Sequence, residues 1–250
     1  MKFFFLFQFV FIGLFNTVFS QEDLNKKSFY KELNDTLFIY KFEVSNDLYS
    51  DFLNSKEYGS DAKVEVDTLQ WLKKESYSVF HASYYHNATS FKNCPVVNIS
   101  QEAAELFCKW LTKKYNSNPK RIYKKVLYRL PTEKEWELAA KGGNINSKYG
   151  WKGSQTINKQ GKKMGNFHLI QDTLNPTLTL IENVKSFYPN KYGLYNMSGN
   201  VSEMVHEKEL VKGGDWYHNS EYCIVGTKLL WDGTPKSYIG FRFVMVVKEK

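Results

Sequence analysis

The chain changes character at Asn144, and that change limits the folds open to it. Before it, apolar residues recur at helical spacing between short apolar runs. After it, Gly, Asn, Lys and Pro are spread through 150–190 and no period survives, which predicts short strands joined by long loops. In the first half, Leu37-Phe-Ile-Tyr-Lys-Phe-Glu-Val44 and Pro95-Val-Val-Asn-Ile99 read as strands. Ser45 caps a short helix carrying Leu48, Tyr49, Phe52 and Leu53 on one face. Ser100 caps a longer one, with Ala103, Ala104, Phe107, Cys108, Trp110 and Leu111 as its apolar stripe. Thr132-Glu-Lys-Glu135 is a capping box ahead of inward-facing Trp136, Ala139 and Ala140, and Gly142-Gly143 ends that helix. The expected class is α+β with low regular secondary structure. Loops as long as those of the second half need an internal tie, for which a bound ion is a candidate.

The first residues bear on the compartment. Lys2 is followed by an apolar stretch from Phe3 to Phe15, and Val18-Phe-Ser20 places small residues before a cleavage point. The stretch falls short of the ~20 residues of a membrane-spanning helix. The reading is a signal peptide over 1–20, export to the periplasm or exterior with mature Gln21, and no stable membrane anchor. A lead-in over 21–36 and one domain over 37–247 follow, since about 230 residues suit a single domain.

Composition narrows the partners. Apolar residues at 42%, including 17% aromatic, suffice for a core. Lys plus Arg number 34 against 26 acidic residues, a net charge of +8, which favours anionic envelope polymers. The basic stretch from Lys113 to Lys125 has no groove-reading motif beside it, so no nucleic-acid partner is expected. Cys94, Cys108 and Cys223 are odd in number, so at least one thiol stays free unless chains pair; Cys108 reads as a small core residue. No phosphate loop, no His-Glu-x-x-His helix and no nucleophile elbow is present. Asp172 and Glu182 are loop carboxylates without an evident partner.

Several motifs occur in a fixed order. Tyr40-Lys-Phe-Glu-Val-Ser-Asn46, Phe107-Cys-Lys-Trp110 and Arg129-Leu-Pro-Thr-Glu-Lys-Glu-Trp-Glu137 precede Tyr192-Gly-Leu-Tyr-Asn-Met-Ser-Gly-Asn-Val-Ser-Glu203. Val211-Lys-Gly-Gly-Asp-Trp216 and Ile239-Gly-Phe-Arg-Phe243 close the series. Together they resemble the formylglycine-generating enzyme, or sulfatase-modifying factor, family. The resemblance implies that family's α+β, C-type-lectin-like fold. Val66-Asp-Thr-Leu-Gln-Trp71 and Ser83-Tyr-Tyr-His86 are similar to a branch found among gliding-motility and type IX secretion lipoproteins, which are structural components. The lipid-attachment cysteine of that branch is missing.

The resemblance also implies chemistry. Calcium takes oxygen ligands from flexible loops. In the family, the positions matching Asn196, Gly199, Val201 and Glu203 bind it; the alternative is a tight Asn/Gly turn with Glu203 in solvent. Asn166 and Phe167 match the start of a second such site, but no acidic residue stands near Pro176 and Leu178 to complete it. The family's enzyme holds copper(I) between two thiolates. Here the first position is His218 and the second Cys223, with Asp215 replacing a small hydroxyl residue. His218 and Cys223 are therefore the catalytic candidates of a divergent copper oxidase, against an ordinary loop histidine and an unrelated thiol.

Three functions follow as expectations. The first is a non-catalytic, calcium-stabilised component of secretion or surface assembly with a protein or glycan partner in the cell envelope. The second is a divergent oxidoreductase using His218 and Cys223. The third is a lectin-like protein with Tyr217, Trp231 and Tyr238 as exposed stacking surfaces.

Overall fold

The helices form where polar caps precede apolar stripes. In the computed structural model, which describes residues 26–55, 57–58, 61–169 and 180–250, the Leu48 N–H donates to Ser45 Oγ at 3.2 Å and opens α1 (Asn46–Leu53). Ser78 caps the short α2 (Val79–Tyr84), and Ser100 caps α3 (Gln101–Asn116) through the Ala103 N–H at 3.1 Å. Thr132 and Glu135 form the reciprocal capping box of α4 (Glu133–Lys141), which ends at left-handed Gly142. The signal segment, Asp172, Pro176 and Leu178 lie outside the described residues.

Among the described residues, eight strands form two sheets. β1 (Tyr30–Asn34), β2 (Leu37–Tyr40), β3 (Lys125–Arg129) and β8 (Val244–Glu249) make an antiparallel sheet in the order β1-β2-β8-β3. The lead-in thus contributes an edge strand. The second sheet has the order β6-β5-β4-β7, from β4 (Ser202–Met204), β5 (Leu210–Lys212), β6 (Leu229–Leu230) and β7 (Ile239–Phe241), with β4 and β7 parallel.

At β2 the first sheet is buried on both faces, which is why this strand reads as a continuous apolar run, whereas the edge strands β1 and β3 interleave exposed residues with more buried ones. Phe38, Tyr40, Phe243 and Met245 face α1 and α3, where they join Tyr49, Phe52 and Phe107. Leu37, Ile39 and Val244 face Trp136, Ala139 and Ala140 of α4. This alternation is the two-residue period of a strand.

Of the two strands expected in the first half, one is shorter than the sequence suggests and the other is absent. Regular pairing of the first stops at Tyr40, where the chain crosses between sheets: the Tyr40 N–H donates to Phe243 O and the Val44 N–H to Phe241 O. Pro95–Ile99 is no strand. It contributes one isolated bridge, Ser45 to Pro95, because Pro95 lacks an N–H and Asn98 turns left-handed with φ of 61°. From Asn144 to β4 the described chain is turns, bends and the isolated bridges of Ile157 with Lys163 and His168 with Asn219, so the expected short strands begin only at Ser202. Among the described residues, no helix is long and apolar enough to cross a membrane.

Candidate functional site

The turn from Asn196 to Glu203 leads into β4, and its backbone requires the residues it has. Asn196 and Asn200 hold positive φ values of 52° and 72°, which asparagine tolerates better than most side chains. Gly199 has φ of 91°, and a Cβ there would lie 2.5 Å from Asn166 O.

Glu203 is fully buried, which overturns the alternative of a solvent-facing carboxylate. Its Oε1 accepts from Arg242 Nη2 and its Oε2 from Arg242 Nε, each at 2.5 Å. The Trp136 Nε1–H adds a third bond to Oε2 at 2.7 Å. A planar guanidinium matches a carboxylate in this two-pronged way, so the buried charge is balanced. Next to the pair lies Glu43, also fully buried, which accepts from the side-chain amides of Asn196 and Asn200 at 2.9 Å each. Burial pushes the Glu43 carboxyl up to about 8, even though Arg242 opposes the shift.

Of the expected calcium positions, Asn196 fits a hard cation: its Oδ1 is a buried oxygen with no hydrogen-bond partner. Glu203 fits less well, since both its oxygens are already engaged by Arg242 and Trp136. Sequence reading missed Glu43, Arg242 and Trp136 as members of this cluster. Each charge interrupts an apolar run, Glu43 between Phe42 and Val44 and Arg242 between Phe241 and Phe243, and such a charge is buried only when paired.

The glycine turn upstream of His218 follows β5 of the same sheet. Gly214 holds φ of 66°, and a Cβ on it would stand 2.8 Å from Cys223 Sγ. Asp215 is buried and accepts from Ser202 Oγ at 2.6 Å, from the Tyr217 and His218 N–H groups, and from His218 Nδ1 at 2.8 Å. Burial alone would lower the His218 pKa, but the hydrogen bond and charge of Asp215 prevail and raise it. The imidazole stacks on Tyr222, with centroids 4.5 Å apart, and meets Tyr217 and Tyr238 edge to face.

Cys223 points elsewhere. It is fully buried with Tyr149, Trp151 and Phe167, and burial, with Asp215 adding to it, drives its pKa well up. The thiolate is the metal-binding form, so this environment works against ligation. The pair does not fit a bis-thiolate copper(I) site: one position is an imidazole committed to Asp215, the other a thiol held neutral. Cys94 and Cys108 are likewise free and buried. Among the described residues no group of three or more His, Cys, Asp or Glu side chains is placed to hold a metal ion.

The three aromatics expected as exposed surfaces differ in fate. Tyr217 is 39% exposed and Tyr238 half-buried, but Trp231 is only 6% exposed and donates from Nε1 to Thr234 O at 2.6 Å. Asp215, His218, Tyr222, Trp231, Lys236 and Tyr238 line one cleft of about 440 Å³. Glu182 caps nothing catalytic: its backbone N–H donates to Asn200 Oδ1, and its carboxylate accepts weakly from Ser186 Oγ at 3.4 Å.

Known proteins share this architecture. The formylglycine-generating enzyme of Thermomonospora curvata is 36% identical over 119 residues, covering 46% of this chain and 34% of the enzyme. The inactive C-alpha-formylglycine-generating enzyme 2 of Bos taurus is 29% identical over 136 residues, 51% of this chain and 40% of that protein. The chain therefore spans less than half the length of either relative. PvdO from Pseudomonas aeruginosa has a TM-score of 0.57 at 18% identity, covering 84% of this chain and 80% of its own. Treponema denticola variable protein 1 has a TM-score of 0.55 at 21% identity, over 86% and 90% of the two chains. At these identities the two structures share the fold. The family model of the sulfatase-modifying factor enzyme 1-like domain matches residues 18–247, and with the ordered motifs now placed in one α+β architecture, the chain belongs to that family.

Proposed function

We propose that this protein is an exported, non-catalytic member of its family, a binding component of secretion or surface assembly at the cell envelope. One observation carries the reading: where the enzyme needs a copper-binding thiolate, His218 stands with its Nδ1 tied to buried Asp215, while the remaining thiol of Cys223 is sealed in an aromatic cluster. Oxygen activation in this family depends on two soft thiolates, and this chain offers one. The kinship to a relative named as inactive points the same way.

Turnover decides it. Copper-loaded protein, incubated with oxygen and a cysteine-containing sulfatase peptide, is expected to yield no aldehyde product by mass spectrometry. Multiple turnovers that vanish in Cys223→Ser would overturn the reading and support the divergent oxidoreductase. Activity gained only in His218→Cys would show that the rest of the enzyme's site is kept.

Calcium belongs to the same proposal. The ion would be held by Asn196 Oδ1 with the Gly199 and Val201 carbonyls, Glu203 contributing a charge already balanced by Arg242. A ligand that binds only the native state stabilises it by mass action. Chelator is therefore expected to lower the melting temperature of the wild type and leave Asn196→Ala unmoved. An identical response in both proteins would remove Asn196 from the site. Export is checked by sequencing the mature N-terminus, expected at Gln21.

A further inference from the structure

The cleft beside His218 has aromatic walls and an unusual charge balance. Tyr222, 39% exposed, stacks on His218, and Tyr238 stands edge-on to the same imidazole with centroids 5.3 Å apart. Tyr238 in turn stacks on Tyr217, and the Trp231 ring is fixed by its bond to Thr234 O. These rings are held by packing before any ligand arrives, so binding would cost little side-chain ordering. The volume of about 440 Å³ lies within the ~300–1,000 Å³ of small-ligand sites, which combine aromatic walls with a few fixed polar groups.

Each cation of the lining is matched inside the protein. His218 is paired with Asp215 at 2.8 Å, Lys236 with Asp232 at 2.9 Å, and Lys228 with Glu133 at 2.9 Å. An anion entering here would have to compete with a carboxylate at every step, and a cation with an ammonium or imidazole. The polar groups still offer hydrogen bonds. Asp215 accepts from His218 Nδ1 at 2.8 Å, which leaves the ring's Nε2 for a ligand, as a donor when the ring is charged and an acceptor when it is neutral. Tyr222 and Tyr238 add phenol hydroxyls, which both donate and accept.

Apolar ring faces beside balanced donors and acceptors suit a molecule with apolar C–H faces and hydroxyls at its edge. We propose that this cleft binds a neutral carbohydrate, a pyranose or short oligosaccharide, with Tyr222 and Tyr238 against the sugar ring and His218 Nε2 hydrogen-bonded to a hydroxyl. The proposal rests on the reading that this cleft binds a partner and does not turn it over.

The test is titration of the full chain with cellotriose, maltotriose and chitotriose, followed by tryptophan fluorescence and by saturation-transfer NMR, with trigalacturonate as the charged probe. At least one neutral trisaccharide is expected to bind saturably, with an affinity indifferent to added salt. Tyr222→Ala is expected to weaken that binding about tenfold, the effect of losing one well-placed aromatic contact. Tyr222→Phe keeps the ring and should retain most of the affinity, and equal melting temperatures show that both variants fold. No saturable binding of any neutral sugar, unchanged affinity in Tyr222→Ala, or tighter binding of trigalacturonate would each overturn the proposal. Aldehyde formation from the sulfatase peptide would sink the non-catalytic reading instead, so the two failures are read by different assays.

Discussion

Glu203 and Arg242 are both fully buried and paired through two hydrogen bonds, so each charge depends chiefly on the other for compensation. Removing one partner leaves a buried charge uncompensated, which costs about 3–5 kcal/mol. Glu203→Ala is expected to lose that much in urea unfolding. The double variant Glu203→Leu, Arg242→Met, which removes both charges, should lose less than Glu203→Ala alone; a larger loss would mean that the pair itself drives folding. Glu43 makes a different prediction through its proton. Its folded pKa of about 8 lies above the ordinary carboxylate value, so the native state binds the proton more tightly than the unfolded state does. The contribution is therefore fully present at acid pH, and stability falls as pH rises from the ordinary carboxylate range to about 8. Urea midpoints of wild type and Glu43→Gln across this window should diverge with rising pH, the variant having the flatter profile. Parallel profiles would show that Glu43 does not titrate there.

At the scale of elements, the capping box of α4 is the local feature with the most partners. The Glu135 N–H donates to Thr132 Oγ1, Glu135 Oε2 accepts from the Thr132 N–H at 2.8 Å, and the same carboxylate takes two bonds from Arg129 at 2.7 Å. Thr132→Ala removes one of these and is expected to cost about 1 kcal/mol, measured as a shift in urea midpoint at unchanged slope. Caps of this kind are legible because every group lies within a few residues, which is how α1, α3 and α4 could be read from their serines, threonine and stripes. Ser78 begins α2 in the same way, but that helix has no buried residue, so no apolar stripe announced it. The second sheet was illegible for another reason. Its strands are two or three residues long, and although β4 and β5 are neighbours in sequence, β4 also pairs with β7, Ser202 with Ile239, so no local period encodes the sheet. The candidate site divides similarly. Asn196 and Glu203 could be named from a turn and a carboxylate, whereas their partners Glu43 and Arg242 come from distant segments that only the fold unites.

At the scale of the whole molecule, β8 lies between β2 and β3, so the last strand of the domain joins a segment near residue 37 to one near residue 125. Its inward residues contribute to the clusters on both faces of the sheet, Val244 on the α4 side and Met245 and Val247 on the α3 side. No subset of the domain can keep β8 paired while the rest opens, and its amides should exchange only by global unfolding. The exposed α2 is the opposite case: Val79, Phe80 and Tyr84 are all more than half exposed, and its opening disrupts little of the core. Hydrogen exchange followed by mass spectrometry should therefore show slow, denaturant-sensitive exchange over 244–247 and 37–40, and fast, denaturant-insensitive exchange over 79–84. Glu203→Ala separates the two classes further. By lowering the global stability it should speed exchange in β8 and β2 by the same factor, while α2, governed by local opening, keeps its wild-type rate. Equal acceleration in α2 would mean that this helix opens only with the core, and that the domain is a single cooperative unit out to its surface.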